Sequence, residues 1–423
     1  MSIQYQSKLF GRTRKDINAE EVSINAQLLT RAGFVEKSMS GVFTFLPLGL
    51  RVIKKIENII REELNNLGAQ ELLMPSFQSK EVWSKSGRWQ DKVGGIMYQF
   101  KDSSGKDLGL APSHEEMITD LVTRQVNSYK DLPLYVYQIQ NKFRDEPRAK
   151  SGLLRGREFL MKDLYSFTAT AAEKETFYQS VHDAYLRIFT RMGLRSFSVE
   201  ASGGAMSKKY SHEFMVITQA GEDQTVFCEH CGWAQNIEIS RLKKGDKCPK
   251  CSSILKQEKT VEAGNIFDQE TIYTDAFKAK YIDQTGKEQS IHMAAFGIGI
   301  SRAMGTIVEA SHDERGIIWP DQVTPFNVHI VVLGDEPELL TAAKKLAEKL
   351  STELDILFDD RDLSPGQKMY DADLIGIPIQ IIVGKKNAPK VEFKIRSQKE
   401  AELITMTEAI ERCQKYYVKK DIR

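Results

Sequence analysis

Phe143-Arg144-Asp145-Glu146, with Arg155-Gly156-Arg157-Glu158-Phe159 close behind it, decides how this chain is read. The stretch follows a strand-like run at 134–140, so the arginines stand at a strand end and in the loop beyond it. A guanidinium offers a planar fork that holds phosphate or carboxylate oxygens two at a time, and it stays charged at any relevant pH. The alternative is a surface patch of ion pairs, because Arg and Glu alternate freely on exposed strands and such pairs imply little. A second segment, Phe296-Gly297-Ile298-Gly299-Ile300-Ser301-Arg302, joins a strand to a helix with Arg302 in the first helical turn. Glycines there let backbone approach a nucleotide, and a helix N-terminus favours anions. Tight helix–sheet packing explains the same glycines, and the third glycine of a dinucleotide loop is missing.

Outward from these segments, Val52, Ile53, Ile56, Ile59, Ile60, Leu64 and Leu67 recur at helical spacing over 51–67, and Gly68 supplies a stop. A short strand is expected at 71–74, ended by Pro75, with others at 196–200, 213–218 and 292–296 and a long helix over 172–192. Strands and helices interleave without a regular βαβ rhythm, which argues for an α+β fold with a mostly antiparallel sheet packed by helices. The tail differs. Strands at 327–333, 356–358, 379–383 and 391–395 alternate with helices, one at 337–350 and one opening at Ser364-Pro365 and stopping at Gly376. Thr405 and Glu408 form a capping box for the last helix. This is a compact α/β domain of about one hundred residues, beginning near 320–325.

At 423 residues the chain has room for two or three domains, and 41% hydrophobic with 28% charged residues is ordinary for a globular protein. No apolar run approaches the roughly 20 residues needed to cross a bilayer, and the first fourteen residues lack a signal-peptide core. A cytoplasmic location is expected. The net charge of +1 points to no partner by itself, so a nucleic acid would have to be met by local basic patches. Four of the five cysteines, Cys228, Cys231, Cys248 and Cys251, form two C-x2-C pairs sixteen residues apart. Two turns that each present two thiolates complete a tetrahedral zinc site and let a segment too small for its own core fold. The alternative is four reduced thiols on an exposed loop. Arg241, Lys243, Lys244, Lys247 and Lys250 make the same segment basic, either to meet the phosphates of a nucleic acid or as a solvated face.

Together these segments resemble the three signature motifs of class II aminoacyl-tRNA synthetases. The helix at 51–67 leading to Pro75 resembles motif 1, which forms the dimer interface of that class. Phe143–Glu146 with Arg157-Glu158-Phe159 resembles motif 2, and Gly297–Arg302 resembles motif 3. Further stretches are similar to the prolyl-tRNA synthetases in particular. These are Leu110-Ala111-Pro112-Ser113-His114-Glu115-Glu116 (their T-x-E loop), Glu158-Phe159-Leu160-Met161-Lys162-Asp163, Ser211-His212-Glu213-Phe214, and Asp313-Glu314-Arg315-Gly316-Ile317-Ile318-Trp319-Pro320. The resemblance covers nearly the whole chain.

It implies an ATP-dependent proline–tRNA ligase whose partners are L-proline, tRNA(Pro) and a second copy of the chain. By resemblance Arg144 grips the α-phosphate and the proline carboxylate, Arg302 holds the γ-phosphate of a bent ATP, and Glu146 accepts from the adenine amino group. Arg155 and Gly299 join the ATP site, with Glu309 helping to hold Mg2+, although without the resemblance Glu309 reads as a solvated helical glutamate. Glu115 accepts from the proline ammonium, helped by Ser113. Met161, Phe167, Ser211 and His212 line the ring pocket, although Met161 has a core reading beside this one, Phe167 reads equally as core and His212 equally as a packed, hydrogen-bonded histidine. Two departures stand out: Ser113 replaces the family's threonine, and 205–210 replaces a glycine-rich run, placing Lys208 and Lys209 there. The expected domains are 1–225 and 262–323 (catalytic), 226–261 (a zinc-ribbon-like insertion) and 324–423 (anticodon-binding). The last is expected to present Lys385, Lys386, Lys390, Lys394 and Arg396 as a basic surface. Bacterial-type relatives carry a large editing domain between motifs 2 and 3. The insertion is too short for one, so alanyl-tRNA(Pro) is left to a separate editing protein.

Overall fold

The strand before Arg144 outruns its apolar stretch: it spans Leu134–Phe143 and pairs antiparallel with Glu158–Thr168, so the arginine-rich segment is the loop of a long hairpin. This is seen in a computed structural model that describes residues 3–16, 21–149, 151–204, 207 and 211–421. The protein divides into two compact units. One comprises Ser38–Phe43 with Ile56–Ala310, the other Met1–Lys37, Thr44–Lys55 and Ser311–Arg423.

The hairpin lies in a nine-stranded sheet. From one edge its order is Ser211–Ile217, Ser196–Ala201, Ala234–Asn236, Asp223–Phe227, Lys256–Glu270, His292–Gly299, Glu158–Thr168, Leu134–Phe143 and Gln70–Glu71. All neighbours are antiparallel except the pairing of Gln70–Glu71 with Leu134–Phe143 and that of Ser196–Ala201 with Ala234–Asn236. This is the α+β arrangement that the irregular interleaving implied. Helix Ala171–Arg191 packs on the sheet, opened by a reciprocal capping box between Thr170 and Glu173. Its Phe177 meets Phe296 edge-on with ring centroids 5.9 Å apart, and Tyr185 and Phe189 pack on Phe214. Aromatic side chains of this size supply much of the apolar area a sheet must bury. The motif 1 helix spans Pro47–Asn66, and the strand expected at 71–74 is shorter, Gln70–Glu71. The insertion hangs between Asp223–Phe227 and the fifteen-residue strand Lys256–Glu270.

The second unit carries a six-stranded sheet in the order Ile3–Tyr5, Ile356–Asp359, Val328–Leu333, Ile379–Gly384, Val391–Ile395, Ala401–Ile404. The first four are parallel and the last two antiparallel. Helices Pro337–Leu350, Pro365–Ile375 and Met406–Asp421 complete the α/β alternation expected of the tail. Ser364 caps its helix by accepting from Gln367 N at 3.3 Å, and Glu408 Oε2 accepts from Thr405 N at 2.8 Å. Gly376 ends the second helix at φ 83°, where a Cβ would run into the Ile317 carbonyl.

Two features of this unit depart from the sequence reading. Strand Ile3–Tyr5 is the edge of the C-terminal sheet, and Ser7 donates to Asp360 through its backbone N (2.9 Å) and its hydroxyl (2.7 Å). A three-residue parallel edge strand is too short to show any periodicity. Second, Lys394 and Arg396 are not part of an exposed basic surface. They lie two residues apart, on one face of the chain, and both are buried: Lys394 pairs with Asp373 at 2.7 Å and Arg396 with Asp313 at 2.7 Å. Lys385, Lys386 and Lys390 are exposed as expected. No helix among the described residues is long and apolar enough to cross a membrane.

Candidate active site

Strand periodicity builds the floor of the site. Phe159, Met161, Asp163 and Tyr165 alternate along Glu158–Thr168 and all line one cavity of about 270 Å³. Across the sheet, Met161 faces Gly299, Asp163 faces Gly297 and Asn265, and Tyr165 faces Ala295 and Phe267, all of them lining residues. The middle strand therefore contributes only Ala and Gly at these rows, and that leaves the volume open. A Cβ on Gly297 would meet nothing nearer than Asn265 O at 4.0 Å.

Arg144 leaves the strand end beside Phe143. Its Nε donates to Pro112 O at 3.3 Å, and its guanidinium stands 5.2 Å from the Phe159 ring centroid. Burial, with the Arg302 charge adding to it, pulls its pKa below the usual guanidinium range. Arg302, in the first turn of helix Ile300–Ala310, donates from Nε to Leu154 O (2.9 Å) and from Nη1 to Glu262 Oε2 (3.1 Å). It also lines an adjoining cavity of about 220 Å³ with Glu146, Arg155, Glu222, Asp223 and Glu262. There Glu146 Oε2 accepts from Arg155 Nε at 2.8 Å, and Glu222 accepts from Arg155 Nη1 at 2.8 Å. Burial and the nearby Glu262 carboxylate push Asp223 up to about 6, and the same two causes push Glu213 up to about 8.

Beside Arg144, which donates to Pro112 O, Ser113 and Glu115 belong to the turn that opens helix Glu115–Gln125. Ser113 Oγ, Glu115 Oε2 and Asn265 Oδ1 are shielded from solvent, and none has a hydrogen-bond partner among the described residues. Buried polar groups are nearly always paired, so three orphans facing one cavity mark the place of a polar ligand. Beneath them a buried network fixes the turn. Lys142 Nζ meets Asp163 Oδ1 at 2.6 Å, while Asp163 Oδ2 accepts from Gln138 Nε2 (2.9 Å) and Tyr165 OH (2.8 Å). The His114 N–H donates to Tyr165 OH at 3.2 Å. Burial pushes the Asp163 carboxyl up, but Lys142 and His114 outweigh it and hold it below the usual carboxylate range.

The cavities thus gather Arg144, Glu146, Arg155, Gly299, Arg302, Ser113, Glu115 and Met161. They leave out four residues that the sequence suggests. Phe167 is on the same strand face as Met161 but one row past the cavity, where it packs with Ile118, Tyr273 and Met293. Ser211 donates to Ser202 O at 3.1 Å, and His212 Nδ1 lies 2.8 Å from Tyr178 OH, so His212 is the packed, hydrogen-bonded histidine. Burial lowers its pKa. Glu309 sits seven residues after Arg302, about 10 Å along the helix, and is buried away from both cavities. Lys208 and Lys209, with Ala205, Met206 and Tyr210, lie outside the described residues. Glu262, Asn265 and Phe267 are site residues that no sequence motif marks, because they follow directly on the insertion along strand Lys256–Glu270.

The four insertion cysteines do converge. Their sulfurs all lie within 4.8 Å of one another, with pairs at 3.4 Å and 3.5 Å. The two C-x2-C turns are built alike. Cys228 N donates to Trp233 O (2.7 Å) and Gly232 N to Cys228 O (3.0 Å), while Cys248 N donates to Ser253 O (2.8 Å) and Ser252 N to Cys248 O (2.9 Å). Gly232 and Ser252, the residues after the second cysteine of each pair, share a left-handed φ of 74° and 64°. Four thiols from two such turns, at these separations, fit a tetrahedral zinc ion.

Comparison with known proteins agrees with this geometry. The tRNA synthetase class II core domain (G, H, P, S and T) matches residues 98–311, and an anticodon binding domain matches residues 327–416. The proline–tRNA ligase of Dehalococcoides mccartyi (strain CBDB1) is 32% identical across 96% of this chain and 98% of its own length. That of Geotalea daltonii is 33% identical over the same shares. The alignments run to 556 and 558 positions against a chain of 423, so more than a hundred positions have no counterpart here. The structure of Giardia lamblia prolyl-tRNA synthetase in complex with prolyl-adenylate shares the fold, with a TM-score of 0.76 at 18% identity over 92% of this chain and 75% of that one. The chain belongs to the proline–tRNA ligase family of class II synthetases.

Proposed function

We propose that this protein joins L-proline to ATP, giving prolyl-adenylate and pyrophosphate, and passes the prolyl group to the 3′ end of tRNA(Pro). The observation that carries this reading is the meeting of Ser113 Oγ, Glu115 Oε2 and Asn265 Oδ1, all unpartnered, with Arg144 and Arg302 across one cavity. A secondary ammonium has two N–H bonds to place, and a carboxylate with a neutral acceptor satisfies both. Held there, the amino acid turns its carboxylate towards Arg144, and that carboxylate attacks the α-phosphorus of ATP. The work left to the protein is positioning and cationic stabilisation of the phosphoryl oxygens, supplied by Arg144 and Arg302. Glu146 and Arg155 in the adjoining cavity serve the nucleotide. The crowded Asp223 and Glu262 carboxylates of that cavity would hold Mg2+ better than the distant Glu309, and the ion would supply positive charge to the phosphates. The structural ion is zinc, in an insertion over 226–261 that splits the catalytic domain (1–225 and 262–323, apart from strand Ile3–Tyr5, which joins the C-terminal sheet), with 324–423 reading the anticodon. The enzyme works in the cytoplasm as a homodimer through its motif 1 region, where Leu73 is left largely exposed.

Proline-dependent ATP–pyrophosphate exchange tests the reading. Proline supports exchange and threonine and serine do not; a protein that exchanges with no amino acid is a tRNA-binding relative without activation chemistry. Alanine is a harder case, since missing methylenes give only about 10–200-fold discrimination each. With no room for an editing domain, the purified protein is expected to leave alanyl-tRNA(Pro) intact in a deacylation assay, and a separate protein clears it. Hydrolysis above the spontaneous rate would reverse that conclusion.

A further inference from the structure

The insertion carries a second feature that the catalytic cavities do not use. Arg241, Lys243, Lys244, Lys247 and Lys250 are all exposed, and none forms an ion pair among the described residues. The one acid among them, Asp246, is committed to the turn: its Oδ2 accepts from Lys243 N at 2.9 Å. The stretch is also held in shape. Gly245 N donates to Leu255 O (3.0 Å), Leu255 N donates to Asp246 O (2.9 Å), and Lys247 bridges to Ile254. Together with the paired cysteine turns, these bonds present five cations on a fixed loop, so little loop entropy is lost when a ligand is met.

The loop's place in the fold names the ligand. It is the tip of a cysteine-held arm carried by strands Asp223–Phe227 and Lys256–Glu270, and both strands run from the arm into the walls of the nucleotide cavity, at Asp223 and at Glu262. Six residue steps of extended strand separate Lys256 from Glu262, about 20 Å. A tRNA whose single-stranded 3′ end reacts in the cavity must bring its phosphate backbone past this distance. A chain of net charge +1 has no general attraction for a polyanion, so the attraction has to be local.

We infer that the basic tip of the cysteine-held arm binds the phosphate backbone of the tRNA whose 3′ end is being charged. The inference rests on the proposed ligase function for its choice of nucleic acid. The test replaces all five residues by glutamine in the full chain and measures aminoacylation of a tRNA(Pro) transcript across a salt series. Unchanged zinc content and melting temperature report that the arm still folds. The KM for tRNA is expected to rise at least about tenfold, and the log–log salt slope to flatten by roughly 0.7–0.9 for each phosphate that is no longer neutralised. Proline-dependent exchange, which needs no tRNA, stays within about twofold of the parent, as expected for residues that touch only phosphates outside the cavity. A KM and slope equal to the parent's would overturn the inference. Should the parent show no exchange at all, the ligase reading falls. Direct binding of the transcript to the two proteins then still decides: weaker binding by the variant upholds the arm's role, equal binding removes it.

Discussion

Arg144→Ala is expected to lower kcat/KM for proline-dependent exchange by about three orders of magnitude, about 4 kcal/mol of transition-state stabilisation. The melting temperature is expected to stay level or rise. The two halves of this result have one cause. Among the described residues Arg144 forms no ion pair; its hydrogen bond is to the Pro112 carbonyl, and burial and Arg302 disfavour its charge more than Glu262, Glu146 and Glu115 favour it. A group whose charged form is less comfortable folded than unfolded costs stability, so removing it relieves the fold while emptying the site of its cation. Arg144→Lys keeps a charge but loses the fork that spans a carboxylate and a phosphate, and restores only a small part of the rate. A variant that lost activity because it unfolded would show a lower melting temperature. That result, or exchange within tenfold of the parent, would remove Arg144 from its role.

What could be read in the sequence depended on how far each signal reaches along the chain. Arg144, Arg302 and Glu115 sit in or beside short motifs with their own chemistry, and the fold brings them to one cavity. Period-two alternation also gives the right face for Phe167, yet it cannot say at which row a cavity ends, and Phe167 lies one row too far. His212 stands in a motif that suggests a pocket, but its neighbour across the packing, Tyr178, is 34 residues away and cannot be seen locally. The same holds for Lys394 and Arg396, whose charges look solvated until Asp373 and Asp313 are folded against them. Glu262 and Asn265 escape notice for a different reason. They lie on a strand that carries ordinary alternation, and only its pairing with the strand ending at Gly299 makes them walls of the site. Helix caps, by contrast, are local by nature, and those at Ser364 and Thr405 were legible in full.

Cys248→Ser is expected to release the metal and melt the cysteine-held arm while the sheet behind it stays folded. The arm's apolar cluster consists of Val226, Cys228, Cys248 and Leu255 with Trp233, Leu242 and Cys251 against it, so three of its seven members are themselves proposed ligands. Structural zinc in small domains contributes about 10–16 kcal/mol, on the scale of a whole domain's stability, and a cluster this small has nothing to replace it. Ser252 adds to the cost, because a non-glycine residue at a left-handed φ persists only while its surroundings impose it. The parent protein should therefore bind one zinc per chain and resist trypsin at Lys243, Lys244, Lys247 and Lys250. The variant, or the parent treated with a strong chelator, should be cut there about two orders of magnitude faster, the behaviour of a segment that opens on its own. Strands Asp223–Phe227 and Lys256–Glu270 stay paired behind the cysteine-held segment, so the cleaved protein keeps most of its exchange activity while its KM for tRNA rises. A zinc-free protein with the parent's protease resistance would show that the four thiols need no metal to hold their turns.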